Sequence, residues 1–292
     1  MFRLFIVITL SLLFSPLVAH AAPKVVVTLL PLHSLVASVM QGVAVPVLLV
    51  NNLDPHHHQL KPSQARRLRE ADLVVWMGRE IEPYLVKVIQ RNAASQLEIK
   101  RELSSVSAHA DSHLWLNPVL VKDIVDMLVQ RISLLDPDHA KQYGSNASEL
   151  KNRLDGLDAE LQQALSPLQG VPFVSYHRAV DHLVQRYSLN QVGIVTDDPE
   201  KSPGLRSLSR LHAQIKQGDI ACMLYVDPEE QAMVLRLSRG SALKSARLNL
   251  LGHGLNQEPA QEPAQKPAQK PGAYFALMQQ IKTALLGCLA TP

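Results

Sequence analysis

The chain has 292 residues, of which 47% are hydrophobic and 4% aromatic, with a formal net charge of +3. That length supports one large or two medium cores, and the hydrophobic share fits an ordinary globular protein. The near-balanced charge, with no basic stripe carrying interleaved aromatics, argues against nucleic acid as a partner.

Residues 1–21 read as an export signal. Arg3 supplies the positive start, Phe2 to Val18 the apolar segment, and Ala19-His20-Ala21 the small-x-small pattern that a signal peptidase needs. The segment is slightly short for a membrane anchor, and no basic stop-transfer cluster follows it. No cysteine stands at the cleavage point, so a lipid anchor is not supported. Export would leave Cys222 and Cys288, the two cysteines of the chain, in an oxidising compartment. There a disulfide is favoured, with two buried thiols as the alternative.

Beyond the signal, strand and helix patterns alternate. Strands are predicted over 24–30, 43–50 and 72–77, and helices over 33–40, 62–71 and 82–92. Pro62 suits a helix start, with Ala65, Leu68 and Ala71 on one stripe. The alternation predicts βαβ units around a mostly parallel sheet. Residues 117–135 and 137–165 then read as consecutive helices. In the second, Leu150, Leu154, Leu157, Leu161 and Leu165 recur at steps of three or four, a narrow apolar stripe. Such a helix spans on the order of 40 Å, enough for a strut against both halves of the chain.

Alternation resumes with strands at 171–176, 190–195, 220–226 and 246–251, and helices at 178–187, 204–217 and 229–238. The run "EPAQEPAQKPAQKPG" puts proline at every fourth residue, which forbids helix and sheet and predicts an extended tether. A last amphipathic helix follows at 273–289. The fold expectation is α/β: two (β/α) lobes with mostly parallel sheets, joined by a long rigid helix. The N-terminal lobe is placed at 22–135, the linking helix at 136–168, and the C-terminal lobe at 169–292 with the Pro-rich tether at 257–272.

Four histidine contexts stand out. They are the triplet His56, His57 and His58 in "DPHHHQLKPSQ", His113 in "DSHLWLNP", His177 in "VSYHRAV" and His253 in "LLGHGL". Any one alone is an ordinary core or surface histidine. Together they lie at or beside strand ends, which in open α/β sheets converge on a ligand-binding crevice. In an extended segment His56 and His58 share a face while His57 points away. His177 directly precedes a predicted helix, whose positive end would keep the ring neutral, and metal ligation needs a neutral imidazole.

The stretch "DPHHHQLKPSQARRLREADLVVWMG" resembles the Pro-His-x-x-x-x-x-Pro-Ser segment of the periplasmic metal-binding proteins of ABC transporters, in the zinc/manganese group. "DSHLWLNP" resembles that family's Asp-x-His-x-Trp-Leu-x-Pro motif, and "FVSYHRAVDHL" its third histidine segment. The motifs come in the family's order, and similarity runs from about residue 24 to 255 and returns in the last helix. The resemblance implies two α/β lobes joined by a rigid helix, a Cys222–Cys288 bridge, and a periplasmic monomer that is not an enzyme. It implies Zn2+ as the cargo, held by His56, His113 and His177, with His58 as a candidate helper. The implied partner is an ABC transporter membrane permease with a cytoplasmic ATPase.

Two features depart from the family. Gly252 stands where a carboxylate ligand is usual, so His253 or water would fill the fourth position. The metal-collecting His-rich loop is reduced to His109. Three imidazoles favour Zn2+ at about 2.0–2.1 Å, whereas manganese prefers harder oxygen donors. The alternatives are a receptor for Mn2+ or another divalent metal, a metal buffer of the same fold, or a zinc-dependent hydrolase using the three-His site. The hydrolase would need a general base, and no HExxH motif supplies one.

Overall fold

The structure, a computed structural model, describes residues 21–49, 59–91, 95–103, 111–196, 203–252, 254–255 and 272–290. Two four-stranded sheets carry the fold. The first holds β1 (Val25–Val27), β2 (Val47–Leu48), β3 (Leu73–Trp76) and β4 (Ser95–Glu98) in the order β2-β1-β3-β4. The second holds β5 (Phe173–His177), β6 (Gln191–Thr196), β7 (Cys222–Tyr225) and β8 (Lys244–Arg247) in the order β6-β5-β7-β8. Every pairing in both is parallel.

The helices are α1 (Leu30–Val39), α2 (Pro62–Arg69), α3 (Val86–Ile89), α4 (Ile99–Glu102) and α5 (Pro118–Leu135), then α6 (Ala140–Leu165), α7 (Asp181–Tyr187), α8 (Leu205–Gln217), α9 (Gln231–Ser238) and α10 (Ala273–Leu289). The two sheets share one topology. In each, the first connection runs to one side and the third to the other. The crossovers therefore part between β1 and β3 in one lobe and between β5 and β7 in the other, and the crevice at such a point is where α/β sheets bind ligands.

The central strands of the first sheet are apolar throughout because both of their faces are covered: β1 reads Val-Val-Val and β3 Leu-Val-Val-Trp, all buried. β2 is far shorter than the strand predicted over 43–50. Pro46 has no N–H to donate to a ladder, and its carbonyl instead accepts a hydrogen bond from His33 Nε2 at 3.0 Å. The pairing is thus confined to Val26 with Val47 and Val27 with Leu48.

α5 starts where the sequence says it should. Asn117 accepts from the Val119 N–H at 3.0 Å, and Pro118 takes the first position, where no donor is missed. α6 runs for 26 residues, about 39 Å, and buries the predicted leucine stripe. Leu150, Leu154, Leu157, Leu161 and Leu165 belong to one continuous core that also contains Val27 and Leu35 from the first lobe and Phe173 and Leu183 from the second. The long helix is therefore a shared wall that links the lobes.

The last helix closes the molecule. Tyr274, at the start of α10, donates its N–H to Ser34 Oγ at 3.0 Å and its hydroxyl to the Trp115 carbonyl at 2.8 Å. Cys288, near its end, is bridged to Cys222 at the start of β7. Among the described residues no helix is long and apolar enough to cross a membrane.

Candidate metal centre

His177 is the last residue of β5, and the chain leaving β7 comes down beside it at the point where the crossovers part. Its Nδ1 lies 2.5 Å from Glu230 Oε1. A carboxylate only accepts, so Nδ1 carries the proton and donates, which leaves Nε2 as the ring's lone-pair nitrogen. The other oxygen, Glu230 Oε2, accepts from the N–H of Val226 at 2.8 Å and of Asp227 at 3.2 Å. Glu230 thereby stitches the loop after β7 to the end of β5, and both of its oxygens are in use.

His113 is fastened in the same way. It precedes a short turn, Leu114–Leu116, that leads into α5. Asp111 Oδ1 accepts from the His113 N–H at 3.0 Å and from its Nδ1 at 2.6 Å, again leaving Nε2 for a ligand. Burial opposes ionisation of Asp111, but the charge and hydrogen bonds of His113, aided by His182, hold its carboxyl below the usual range. The Trp115 ring packs 5.1 Å from that of His113 and anchors itself by donating Nε1–H to the Leu250 carbonyl at 2.9 Å. A histidine whose second nitrogen is fixed by a carboxylate is the usual form of a metal-ligating histidine.

The two rings face each other with centroids 6.4 Å apart and planes tilted by 51°. Two imidazoles on one tetrahedral zinc would put their centroids about 5 Å apart, so closing on one ion takes a shift of about an ångström. His113 and His177 are both buried, at 7% and 4% exposure, and bare rings there would be poorly served by solvent.

One expectation is overturned. The helix predicted directly after His177 begins only at Asp181, and its dipole does not govern the ring. Burial lowers the His177 pKa, but the hydrogen bond and charge of Glu230, followed by the charges of Asp227 and Asp111, outweigh it and raise the pKa above the ordinary value. What suits His177 to a metal is its fixed tautomer.

The remaining histidines singled out in the sequence, His56, His58 and His253, lie outside the described residues, as do His57 and His109. Gly252 is described. Its φ of +73° is a conformation that side-chain-bearing residues rarely adopt, and a Cβ there would sit 3.0 Å from Leu30 Cδ2 and 3.1 Å from Leu255 Cδ1. The backbone thus disfavours the carboxylate that the family resemblance would place at that position.

Sequence reasoning missed Glu230 and Asp227. With His177 they form a metal-capable group whose ligand atoms all lie within 4.8 Å of one another. The available signal was "VDPEEQ", a run of acids at the carboxyl end of a central strand, of which the sequence reading used only 229–238, as a helix.

Two parallel α/β lobes, sharing a helical wall and facing each other with carboxylate-fastened histidines, define a two-lobed metal-binding receptor of the solute-binding class. The chain belongs to the family described as "ZnuA: Zinc-uptake complex component A periplasmic", whose model matches residues 25–288. The high-affinity zinc uptake system protein ZnuA of Brucella abortus (strain 2308) is 28% identical over 286 residues, covering 80% of this chain and 86% of the relative. That of Paracoccus denitrificans (strain Pd 1222) is 26% identical over 312 residues, covering 91% and 92%. Among solved structures, the periplasmic zinc binding protein TroA from Treponema pallidum shares the fold with a TM-score of 0.75 at 19% identity, over 92% of this chain and 99% of that one.

Proposed function

We propose that this protein is a periplasmic receptor that captures Zn2+ between its lobes and delivers it to an ABC-type importer, a membrane permease with a cytoplasmic ATPase. His56, His113 and His177 are its ligands, residues 1–21 its export signal, and it acts as a monomer. Its lobes span residues 22–135 and 169–292, with 136–168 between them. The observation that carries this reading is the facing pair His113 and His177, 6.4 Å between ring centroids, each held through Nδ1 by a buried carboxylate. Imidazole nitrogens held this way suit zinc better than the oxygen-seeking manganese.

The same geometry supports capture over catalysis. A zinc hydrolase needs a base to take the proton of bound water. Asp111 and Glu230 are both spent on the ligand rings and on backbone N–H groups. Calorimetric titration of the full chain with zinc tests the proposal. One tight site that His113→Ala or His177→Ala abolishes is expected, and a chain that takes up no zinc would refute it.

A further inference from the structure

We propose that Trp115 is a positioning residue of the zinc site: its indole backs the His113 ring, and its N–H ties that backing to the turn after β8. The inference rests on the receptor reading above and adds a residue that binds no metal itself.

The His113 imidazole is held on two sides. Asp111 fixes its Nδ1 edge at 2.6 Å. The Trp115 indole lies against it with centroids 5.1 Å apart and planes tilted by 59°, a separation at which aromatic rings attract.

A backing ring is only as firm as its own support. Trp115 is fully buried, and its Nε1–H donates to the Leu250 carbonyl at 2.9 Å, across 135 residues of sequence. Its own carbonyl accepts the Tyr274 hydroxyl at 2.8 Å. The indole is thus fastened to the chain beyond β8, and the backbone that carries it to α10. Leu250 is buried in its turn. Two residues further on, Gly252 lies so close to Leu30, at the head of α1, that a Cβ would stand 3.0 Å from Leu30 Cδ2. The accepting carbonyl therefore sits in a packed segment and cannot drift.

This bracing bears on affinity because binding energy is reduced by whatever must be ordered when the ion arrives. The rings of His113 and His177 stand 6.4 Å apart and must approach to share an ion. Holding one ring in place confines that movement to its partner. The coupling is reciprocal: a hydrogen bond that tightens zinc binding is itself tightened by zinc, by the same factor.

Two measurements test the proposal. Trp115→Phe keeps an aromatic ring and removes the N–H, and zinc titration of the full chain is expected to show affinity weakened by about 10-fold. Asn146→Ala is the comparison, because it strips the Val39 and Gln41 carbonyls of a side-chain donor at the far end of α1. It should bind zinc within about twofold of the parent, as expected of a distant site. The second measurement uses the unaltered chain, which holds two tryptophans, and follows hydrogen exchange of their indole N–H groups by NMR, with Trp76→Phe to assign the signals. Zinc saturation is expected to slow exchange at Trp115 by about 10-fold more than at the buried Trp76. General stabilisation by zinc would slow both alike, so this reading decides the matter if Trp115→Phe fails to fold. Parent-like affinity in Trp115→Phe, an equal loss in Asn146→Ala, or equal slowing at both indoles would overturn the proposal. Failure of the receptor reading looks different, since the parent chain itself would then take up no zinc.

Discussion

His182, on α7 of the second lobe, donates its Nε2–H to the backbone carbonyl of Asp111, a residue of the first, at 2.7 Å. The same Asp111 accepts the Asp181 N–H on its Oδ2 and orients His113 with its Oδ1. One residue therefore aims the His113 ring and grips the opposite lobe. Removing the donor leaves a buried carbonyl without this partner, which costs about 1–3 kcal/mol. His182→Phe, which keeps a ring in place, should lower zinc-free stability by that amount in urea unfolding. An unchanged midpoint would show that the lobes do not depend on this bond.

Glu230 gives a second prediction, this one about affinity. Replacing it with glutamine puts an amide where one carboxylate oxygen accepts two backbone N–H groups, and the amide's own N–H groups cannot accept. His177 should lose its fixed tautomer, and zinc affinity should fall by about 10–100-fold. Calorimetric titration reads this directly, and His113→Ala in parallel should lose more because it deletes a proposed ligand outright.

The third concerns pH. Glu82 is fully buried, accepts from the Met77 N–H at 2.8 Å, and burial pushes its carboxyl pKa up to about 7 from 4.5. Because the folded value is the higher one, the folded chain holds this proton where the unfolded chain has released it, and stability falls as pH rises from about 4.5 to about 7. The full effect is on the order of 3 kcal/mol at alkaline pH and vanishes below the unfolded value. Glu82→Gln should therefore raise the melting temperature at pH 8 and leave it nearly unchanged at pH 4.5. An equal shift at both pH values would contradict the argument.

Much of this architecture is legible in the sequence, and the reason differs by element. α6 announces itself because its five buried leucines keep helical spacing over four turns. β3 does so because a central parallel strand must be apolar on both faces. β4 and β8 were harder. Edge strands have one partner each and tolerate polar residues, so Ser-Gln-Leu-Glu and Lys-Ser-Ala-Arg carry little signal. The apolar run 246–251 looked like the strand, yet the ladder with β7 stops at Arg247, and Leu248 and Leu250 are buried just beyond it. At the site, His113 and His177 stood out by motif. Glu230 did not, because it meets His177 across 53 residues only once β7 lies beside β5.

A fourth prediction follows from the covalent link. The Cys222–Cys288 bridge closes a loop of 66 residues, worth about 4 kcal/mol by the chain-entropy argument. Reducing it, or changing both cysteines to alanine, should lower the unfolding midpoint substantially without altering the number of zinc ions bound. A loss of binding stoichiometry would mean that α10 supports the cleft itself.

Tyr274 reaches back 240 residues to cap the side chain of Ser34 on α1, all ten residues of which are buried. A polypeptide made from its N-terminus presents α1 first and α10 last. The first lobe thus waits, with an apolar flank bare, for the final segment to dock. Until then that flank stays open, and proteolysis of stalled or truncated chains should begin there.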